Sequence, residues 1–249
     1  MIETRHLTKT FNGKPAIDDI SISFEAGKCN MVIGASGSGK TVLLKNIMGL
    51  LVPDEGEILY DGRDLNKMSK KERKSLYSEM GVLFQGSALF DFATVEENIV
   101  FPLEFFTRMT KAEKHDKADM LLERVGLSGA NGKYPSELSG GMQKRVGIAR
   151  AIALNPKYLF CDEPNSGLDP VTSVRIDELI AGITEEYDMT TIINTHDMNS
   201  IMGIGDSIDF IYEGKLKWHG DKNSLLHPGC KELEAFVNSN ALARKIVGG

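Results

Sequence analysis

The segment Gly34–Thr41 has the residue types and spacing of a loop that binds phosphate groups. It reads Gly-Ala-Ser-Gly-Ser-Gly-Lys-Thr, and it lies between an apolar run at Met31–Ile33 and a helical pattern at Val42–Leu51, which is the setting such a loop requires. Glycines let several backbone N–H groups point at one anion, and the following helix directs its positive end there. We expect Lys40 to reach the β- and γ-phosphates of a nucleotide and the Thr41 hydroxyl to bind Mg²⁺. The residues predicted to bind phosphate groups are Gly34, Ser36, Gly37, Ser38, Gly39, Lys40 and Thr41.

Two adjacent acids end a second apolar run. The run Tyr158–Cys161 is followed by Asp162 and Glu163. Because successive side chains of a strand point to opposite faces, the two carboxylates cannot do the same work. We expect Asp162 to hold Mg²⁺ directly or through water, and Glu163 to orient and deprotonate an attacking water. Together with the phosphate-binding loop, these acids predict metal-assisted nucleotide hydrolysis.

A second helix with an anion-binding N-terminus is predicted to begin at Ser139. The sequence Leu-Ser-Gly-Gly-Met at Leu138–Met142 opens a helical pattern, and exposed amide groups at a helix N-terminus form a ready anion site. The helix after Lys40 already serves this chain's own phosphate groups, so the second helix needs a different phosphate. Two chains arranged head to tail meet this need. Each chain would then cap the γ-phosphate bound by the other with Ser139, Gly140 and Gly141.

The apolar runs and the helical patterns between them predict an α/β fold with a parallel sheet. Residues 1–30 and 56–65 contain shorter alternating stretches with Gly-containing turns, which predict an antiparallel β layer beside the main sheet. The runs interpreted as strands of the main sheet are Met31–Ile33, Met80–Phe84, Tyr158–Cys161, Thr191–Asn194 and Ile208–Tyr212.

Residues 86–155 interrupt the strands with a mainly helical pattern, which we interpret as a helical subdomain inserted into the α/β core. The segments Thr94–Glu97 and Thr110–Glu113 both fit a capping box at a helix start. Gly126 is expected to end the second of these helices. The side chains expected to share one buried face of that helix are Met120, Leu121, Leu122 and Val125.

Over nearly its whole length the sequence resembles the ATP-binding-cassette (ABC) family, whose signature is matched by Leu138–Met142. A phosphate-binding loop and an acid-tipped strand also occur in kinases, GTPases and recombinases, and the signature distinguishes among these classes. The resemblance implies a P-loop NTPase fold that binds ATP and Mg²⁺ and hydrolyses ATP, with Lys40 among the groups that stabilise the developing charge. It further implies that Phe11 stacks on adenine, that Gln85 takes part in catalysis and in the Mg²⁺ site, that Ser166–Asp169 form the D-loop, and that His196 is the catalytic switch histidine.

Three short strings narrow the resemblance. Gly39–Lys45, Phe84–Asp91 and Leu138–Arg145 resemble the MlaF-type ATPases of Mce-associated phospholipid transporters. Two positions depart from the general ABC pattern, because the signature ends in Met142 instead of Gln and Thr41 is followed by Val42 instead of a second hydroxyl residue. Met142 therefore lacks the polar side-chain contact that a glutamine could make. At Val42 no side-chain hydroxyl can donate to the α-phosphate, so that contact is left to backbone N–H groups.

This resemblance implies a homodimer of ATPase subunits under two transmembrane permease subunits, with an Mce-type lipid-binding partner. The assembly is expected at the cytoplasmic face of the inner membrane, where the ATPase is peripheral. Residues 86–103 are expected to receive a coupling helix of the permease, through the apolar side chains Ala88, Leu89, Phe90, Phe92 and Phe101. An ATPase of a small-solute importer is the nearer alternative, and a soluble ABC ATPase without a permease is a further one.

Composition excludes several other classes. The chain has 249 residues and a formal net charge of −6, so it has no global basic footprint, and we expect no nucleic-acid partner. Its three cysteines are widely spaced, which disfavours a disulfide framework and a metal-ligand pair. No apolar run approaches the roughly 20 residues needed to cross a bilayer.

We predict a single nucleotide-binding domain over residues 1–249. It comprises an ATP-binding core with its β layer at 1–85 and 156–228, the helical subdomain at 86–155 and a tail at 229–249. Apolar residues in the tail predict packing either on its own domain or on the partner chain, and the sequence does not choose between these. The residues concerned are Leu233, Phe236, Val237, Leu242, Ile246 and Val247.

Overall fold

The computed structural model describes residues 1–225 and 228–239. The strands in these residues are β1 (Ile2–Phe11), β2 (Lys14–Phe24), β3 (Lys28–Ile33), β4 (Glu55–Tyr60), β5 (Arg63–Asp64), β6 (Met80–Leu83), β7 (Tyr158–Asp162), β8 (Thr190–Thr195), β9 (Ser207–Tyr212) and β10 (Lys215–Gly220). The α-helices are α1 (Lys40–Ile47), α2 (Lys70–Ser78), α3 (Val95–Phe106), α4 (Lys111–Arg124), α5 (Gly140–Ala151), α6 (Pro170–Glu186), α7 (Met198–Ile204), α8 (Lys222–Leu225) and α9 (Lys231–Ser239).

The main sheet has six strands in the order β10-β9-β3-β8-β7-β6. Strands β9, β3, β8, β7 and β6 run parallel to one another. Strand β10 lies at the edge beside β9 and is antiparallel to it. All five strands predicted for this sheet are therefore confirmed. The carboxyl ends of parallel strands meet at one edge of a sheet, which is where ligands bind in open α/β folds. The phosphate-binding loop follows β3, Gln85 follows β6 and His196 follows β8, while Asp162 ends β7 and Glu163 comes directly after it. The topology therefore places all of them at this edge.

The antiparallel layer has the strand order β2-β1-β4-β5, which confirms the predicted β layer. An apolar cluster joins this layer to the main sheet, and α1 supplies part of it through Leu43 and Ile47. Within this cluster Tyr60 of β4 donates its hydroxyl hydrogen to the carbonyl oxygen of Ile47 at 2.7 Å. The helix that follows the phosphate-binding loop is thus fixed against both sheets.

The region 86–155 contains α3, α4 and α5, in agreement with the predicted helical character. Both predicted capping boxes form, at Thr94–Glu97 and at Thr110–Glu113. The prediction for Met120 was wrong, because its side chain is 46% exposed while Leu121 and Leu122 are buried. Three consecutive helical residues span about 200° of the helix circumference, so one of them must face solvent. The core of these helices is continuous with one face of the main sheet, and the proposed domain boundaries stay a prediction.

Helix α9 packs on its own chain. Leu233 and Val237 are buried in the cluster beside the main sheet, and the Phe236 ring lies 5.5 Å from that of Phe210 in β9. The described part of the tail therefore has a local packing surface, whereas Leu242, Ile246 and Val247 lie outside the described residues. In the described parts of the chain, no helix combines the length and apolarity that crossing a bilayer requires.

Candidate active site

The loop between β3 and α1 curves because its glycines adopt backbone conformations closed to other residues. Gly39, which caps the N-terminus of α1, has a φ of 110°, in the left-handed region that favours glycine. A Cβ atom on Gly39 would lie 2.6 Å from the carbonyl oxygen of Ala16 in β2. A side chain there would be excluded, and the antiparallel layer therefore helps to hold the loop in shape.

Lys40 is buried inside this loop. Its Nζ donates hydrogen bonds to the carbonyl oxygens of Gly34 at 2.8 Å and Ala35 at 3.0 Å. Burial lowers the pKa of Lys40, and the nearby carboxylates of Glu163 and Asp162 oppose that effect. The ammonium group is thus on the concave side of the loop, where the sequence predicted that it would meet phosphate oxygens.

Thr41 and Asp162 form an oxygen-rich pair that fits Mg²⁺. The Thr41 hydroxyl lies 3.4 Å and 3.5 Å from the two carboxylate oxygens of Asp162, and the Asn194 amide donates to the same carboxylate at 3.1 Å. Among the described residues, no three His, Cys, Asp or Glu side chains group as a metal cage. Mg²⁺ is usually bound by one or two protein oxygens together with substrate phosphates and water, so this donor set suits it.

Glu163 and His196 form a direct pair across the ends of β7 and β8. The Glu163 Oε1 atom lies 2.9 Å from the His196 Nδ1 atom. Glu163 has a φ of 49°, an uncommon conformation for a residue other than glycine, and its N–H donates to the carbonyl oxygen of Asn194 at 2.9 Å. Strained backbone of this kind persists only where the surrounding structure holds it. The orientation of the Glu163 carboxylate is therefore set by its contacts with Asn194 and His196 of the neighbouring strand end.

Gln85 contacts two other segments of the chain, the turn at Ser166 and helix α5. Its side-chain amide donates to the Ser166 hydroxyl at 3.2 Å, and its carbonyl oxygen accepts a hydrogen bond from the ammonium of Lys144. Arg150, six residues after Lys144 in α5, donates to the carbonyl oxygens of Ser87 and Ala88. Sequence reasoning missed Lys144 and Arg150, since nothing in a single sequence distinguishes a basic side chain directed into the protein from one on the surface.

Most of the predicted site residues line one cavity of about 600 Å³. Sequence reasoning did not place α9 at this cavity, although its residues Phe236 and Ser239 form part of the cavity wall. A helical pattern so far along the chain gave no signal that it would return to the phosphate-binding loop. The predicted residues that line the cavity are Ser36, Gly37, Gly39, Lys40, Thr41, Gln85, Glu163 and His196.

Four other predicted residues do not line this cavity, and one of them, Asp162, lies beside the Thr41 hydroxyl at 3.4 Å. Gly34 is buried at the start of the loop, and the Ser38 hydroxyl is buried with no hydrogen-bond partner among the described residues. Phe11 ends β1, where its ring is 44% exposed and lies 5.7 Å from the Lys9 ammonium. An exposed ring is free to stack on a base, and the adenine-stacking role of Phe11 stays a prediction.

The signature residues lie elsewhere on the same chain. Ser139 caps α5, as predicted, with its hydroxyl accepting a hydrogen bond from the Met142 N–H at 3.3 Å. Ser139 and Gly141 line a separate cavity of about 280 Å³ between α5 and α6, and Gly140 begins α5 beside them. None of the three lines the cavity that contains Lys40. One chain thus carries the two halves of the predicted arrangement on separate surfaces.

Comparison with known proteins identifies the family of this fold and site. Residues 17–166 match the model of the ABC transporter family. The chain is similar over 89% of its length to a solved dimeric ATP-binding cassette, MJ0796, in a post-hydrolysis state bound to ADP and Pi, with 30% identity, a TM-score of 0.82 and 99% of that chain covered.

Three curated relatives have similar identities but different names. The probable ribonucleotide transport ATP-binding protein mkl of Mycobacterium leprae is 38% identical over 241 residues, which are 97% of this chain and 70% of that protein. The methionine import ATP-binding protein MetN of Caulobacter vibrioides is 40% identical over 240 residues, with 95% and 72% covered. The intermembrane phospholipid transport system ATP-binding protein MlaF of Haemophilus influenzae is 38% identical over 241 residues, with 97% and 91% covered.

Proposed function

Because this chain belongs to the ABC transporter family, as an ATPase subunit that binds ATP with Mg²⁺, we propose that it powers the movement of phospholipid between the inner and outer membranes. The observation that supports this substrate is the match to the phospholipid transport protein, which extends over 91% of that relative. The methionine and ribonucleotide relatives have further length that this chain does not cover. The phospholipid relative is thus the most similar of the three in overall extent.

The alternative is an importer of a small solute, and the 40% identity to the methionine import protein favours it. The nucleotide site does not discriminate between the two, because the transported molecule passes through other subunits. The choice therefore depends on the membrane partners and their cargo.

We propose the following roles in hydrolysis for residues of this chain. Glu163 accepts a proton from the attacking water, because its carboxylate is at the end of β7 and is held by His196 at 2.9 Å. Lys40 and the main-chain amides of the loop stabilise charge on the phosphate oxygens. Thr41, Asp162 and Gln85 are the residues that would hold Mg²⁺, which when bound neutralises charge on the phosphate groups. His196, paired with Glu163, donates to the oxygen on which charge develops.

We propose that two copies complete each site. The support is that Ser139 lines a cavity separate from the Lys40 cavity in one chain, together with the dimeric state of the similar cassette. A second copy facing the first would bring the N-terminus of α5 to the γ-phosphate. The chain is then a homodimer whose two sites each contain residues of both subunits.

An aromatic groove is the proposed contact with a transmembrane permease. A cavity of about 380 Å³ is lined by Phe84, Ala88, Phe90, Phe101 and Arg150 among others. The Phe90 ring lies 4.7 Å from the Phe101 ring and 5.6 Å from the Phe92 ring, and Phe92 is 84% exposed. Clustered exposed aromatic rings are typical of surfaces that bind another protein. Of the apolar residues predicted here, Leu89 instead packs against the chain's own core.

The partners and the cargo can be tested together. The tagged chain is extracted from membranes in detergent, the co-purifying proteins are identified by mass spectrometry, and the complex is reconstituted in vesicles. We expect two permease copies and an Mce-type protein, and ATP hydrolysis that phospholipid stimulates and L-methionine or ribonucleotides do not. A complex from Glu163→Gln chains serves as the inactive control. Recovery of a solute permease, with stimulation by methionine alone, would establish the importer alternative instead.

A further inference from the structure

Three polar side chains are joined by hydrogen bonds through one of them, Asn165, behind the nucleotide site. The Asn165 amide donates to Oδ1 of Asp177 at 2.8 Å and to the Ser200 hydroxyl oxygen at 2.9 Å. Asp177 is only 5% exposed and Ser200 only 1% exposed. We call this set the Asn165–Asp177–Ser200 triangle.

The triangle joins the two segments that carry Glu163 and His196. Asn165 is two residues after Glu163, in a turn closed by the hydrogen bond from the Ser166 N–H to the Glu163 carbonyl oxygen at 3.1 Å. Ser200 is in the first turn of α7, which begins at residue 198, just after His196. Asp177 is in α6, so the Asn165 amide connects the loop after β7 to a buried carboxyl group of α6 and to the helix after β8.

A buried carboxylate at this place is costly. Ile176 and Ile180 flank Asp177 on α6, and both are buried in the main apolar cluster. Burial raises the pKa of Asp177 to about 6, and the hydrogen bonds from Ser200 and Asn165 oppose this rise. The other ionisable groups that interact electrostatically with Asp177 are the Asp197 and Glu178 carboxylates and the Cys29 and Cys161 thiols. Apolar side chains of similar volume commonly give equal or greater stability than buried charged ones, so a buried carboxyl group here suggests a role in positioning its hydrogen-bond partners.

We infer that Asp177 is a positioning residue, which acts through Asn165 and Ser200 to fix the separation between the Glu163 carboxylate and the His196 ring. Glu163 needs such support because its backbone has the strained φ of 49°. The Asp177 carboxyl group touches no reacting atom, so its effect is on geometry at the moment of water attack. This inference rests on the catalytic roles proposed for Glu163 and His196.

The test compares turnover with nucleotide affinity in variants of the triangle. Asp177→Ala removes the carboxylate acceptor of the Asn165 amide, and we expect kcat to fall by about 10- to 100-fold while the KM for ATP changes little, because the phosphate-binding loop is untouched. Asp177→Asn keeps an acceptor oxygen for Asn165 and should restore most of kcat. Glu178→Ala, one residue further on the exposed side of α6, is the matched control and should behave as wild type.

Ser200→Ala tests a second corner with a smaller change, in case Asp177→Ala does not fold. It should lower kcat several-fold with KM unchanged, in a chain whose thermal melting shows that it is folded. The inference is overturned if folded Asp177→Ala has wild-type kcat, or if Asp177→Asn loses as much kcat as Asp177→Ala. Glu163→Gln is measured in parallel: full turnover in that variant would contradict the proposed site itself, whereas its loss alongside an active Asp177→Ala would contradict only the positioning role.

Discussion

The ammonium of Lys144 donates a hydrogen bond to the main-chain carbonyl oxygen of Gln85. Lys144 is 4% exposed and belongs to the helix that Ser139 caps, whereas Gln85 lines the cavity that contains Lys40 and contacts Ser166 through its side chain. The helix proposed to serve the second nucleotide is thus linked to the first nucleotide's own site inside one chain. A movement of α5 on dimer closure would therefore displace the Gln85 main chain.

The variant Lys144→Met tests this link. Burial lowers the pKa of Lys144, which shows that the environment disfavours the charge, and methionine fills a similar volume without it. We expect ATP turnover to fall by about tenfold because the Gln85 main chain is no longer held in place, and the free energy of unfolding to fall by no more than the roughly 1.5–3 kcal/mol that a hydrogen bond from a charged group contributes. The control is Lys117→Met in α4, because the Lys117 ammonium donates to the Asn155 side chain instead of to Gln85. Unchanged turnover in Lys144→Met would show that the contact has only a structural role.

The sequence predicted the strands, the loop and the acid pair because each is encoded locally. The glycines and the lysine of the phosphate-binding loop all lie within the eight residues from Gly34 to Thr41. Asp162 and Glu163 directly follow the apolar run at Tyr158–Cys161. The Asn165–Asp177–Ser200 triangle could not be predicted, because its three corners come from three segments that only the sheet topology brings together. The same reason explains why Phe236, more than 190 residues beyond the loop in the sequence, was not predicted to line the cavity. Met120 was placed wrongly because hydrophobicity alone does not fix the rotation of a helix with three successive apolar residues.

The variant Phe92→Asp tests the aromatic groove. Phe92 is 84% exposed, so the substitution should leave folding and ATP binding by the isolated chain unchanged. A charge at a contact that buries an aromatic ring should weaken permease binding, because removal of such a ring commonly costs 2 kcal/mol or more, roughly 30-fold in affinity. Co-purification with the membrane subunits is the measurement, and Val52→Asp, which alters another exposed apolar side chain, is the control. Wild-type recovery of the permease with Phe92→Asp would place the interface elsewhere.

Composite sites can be tested by mixing two inactive chains. Ser139→Arg should abolish turnover while the isolated chain still binds ATP, because Ser139 is absent from the Lys40 cavity. Lys40→Ala should lose nucleotide binding instead. In a mixed dimer both changes fall on the same site, so one site regains a full set of residues and the other loses both, and turnover should not exceed about half of wild type. Hydrolysis by wild type that stays proportional to concentration down to a monomeric regime would refute the shared site.

The pair of His219 and Asp209 predicts a pH dependence of stability. The hydrogen bond of the His219 Nδ1 atom to the Asp209 carboxylate at 2.9 Å raises the pKa of His219. A histidine with a raised folded-state pKa stabilises the fold fully below its ordinary pKa of about 6.5, and this stabilisation is lost as pH rises through the folded-state value. Burial raises the pKa of Asp209 as well, so ionisation of that group lowers stability in the same direction.

The difference in melting temperature between wild type and His219→Gln should therefore be largest at about pH 6 and should decrease toward about pH 9. Asp209→Asn, which removes the acceptor charge without changing the shape of the side chain, should flatten the dependence. A difference that grows with pH would contradict the assigned direction.

ATP hydrolysis at this site requires Glu163 as the proposed base and Lys40 as the proposed phosphate ligand. The most direct test measures ATP affinity and single-site turnover side by side in Glu163→Gln and Lys40→Ala. Glu163→Gln should bind ATP like wild type and lose about 10²- to 10⁴-fold in turnover, as expected for removal of a positioned base, whereas Lys40→Ala should lose ATP affinity itself. Equal loss of affinity in the two variants, or wild-type turnover in Glu163→Gln, would contradict the roles that the structure supports.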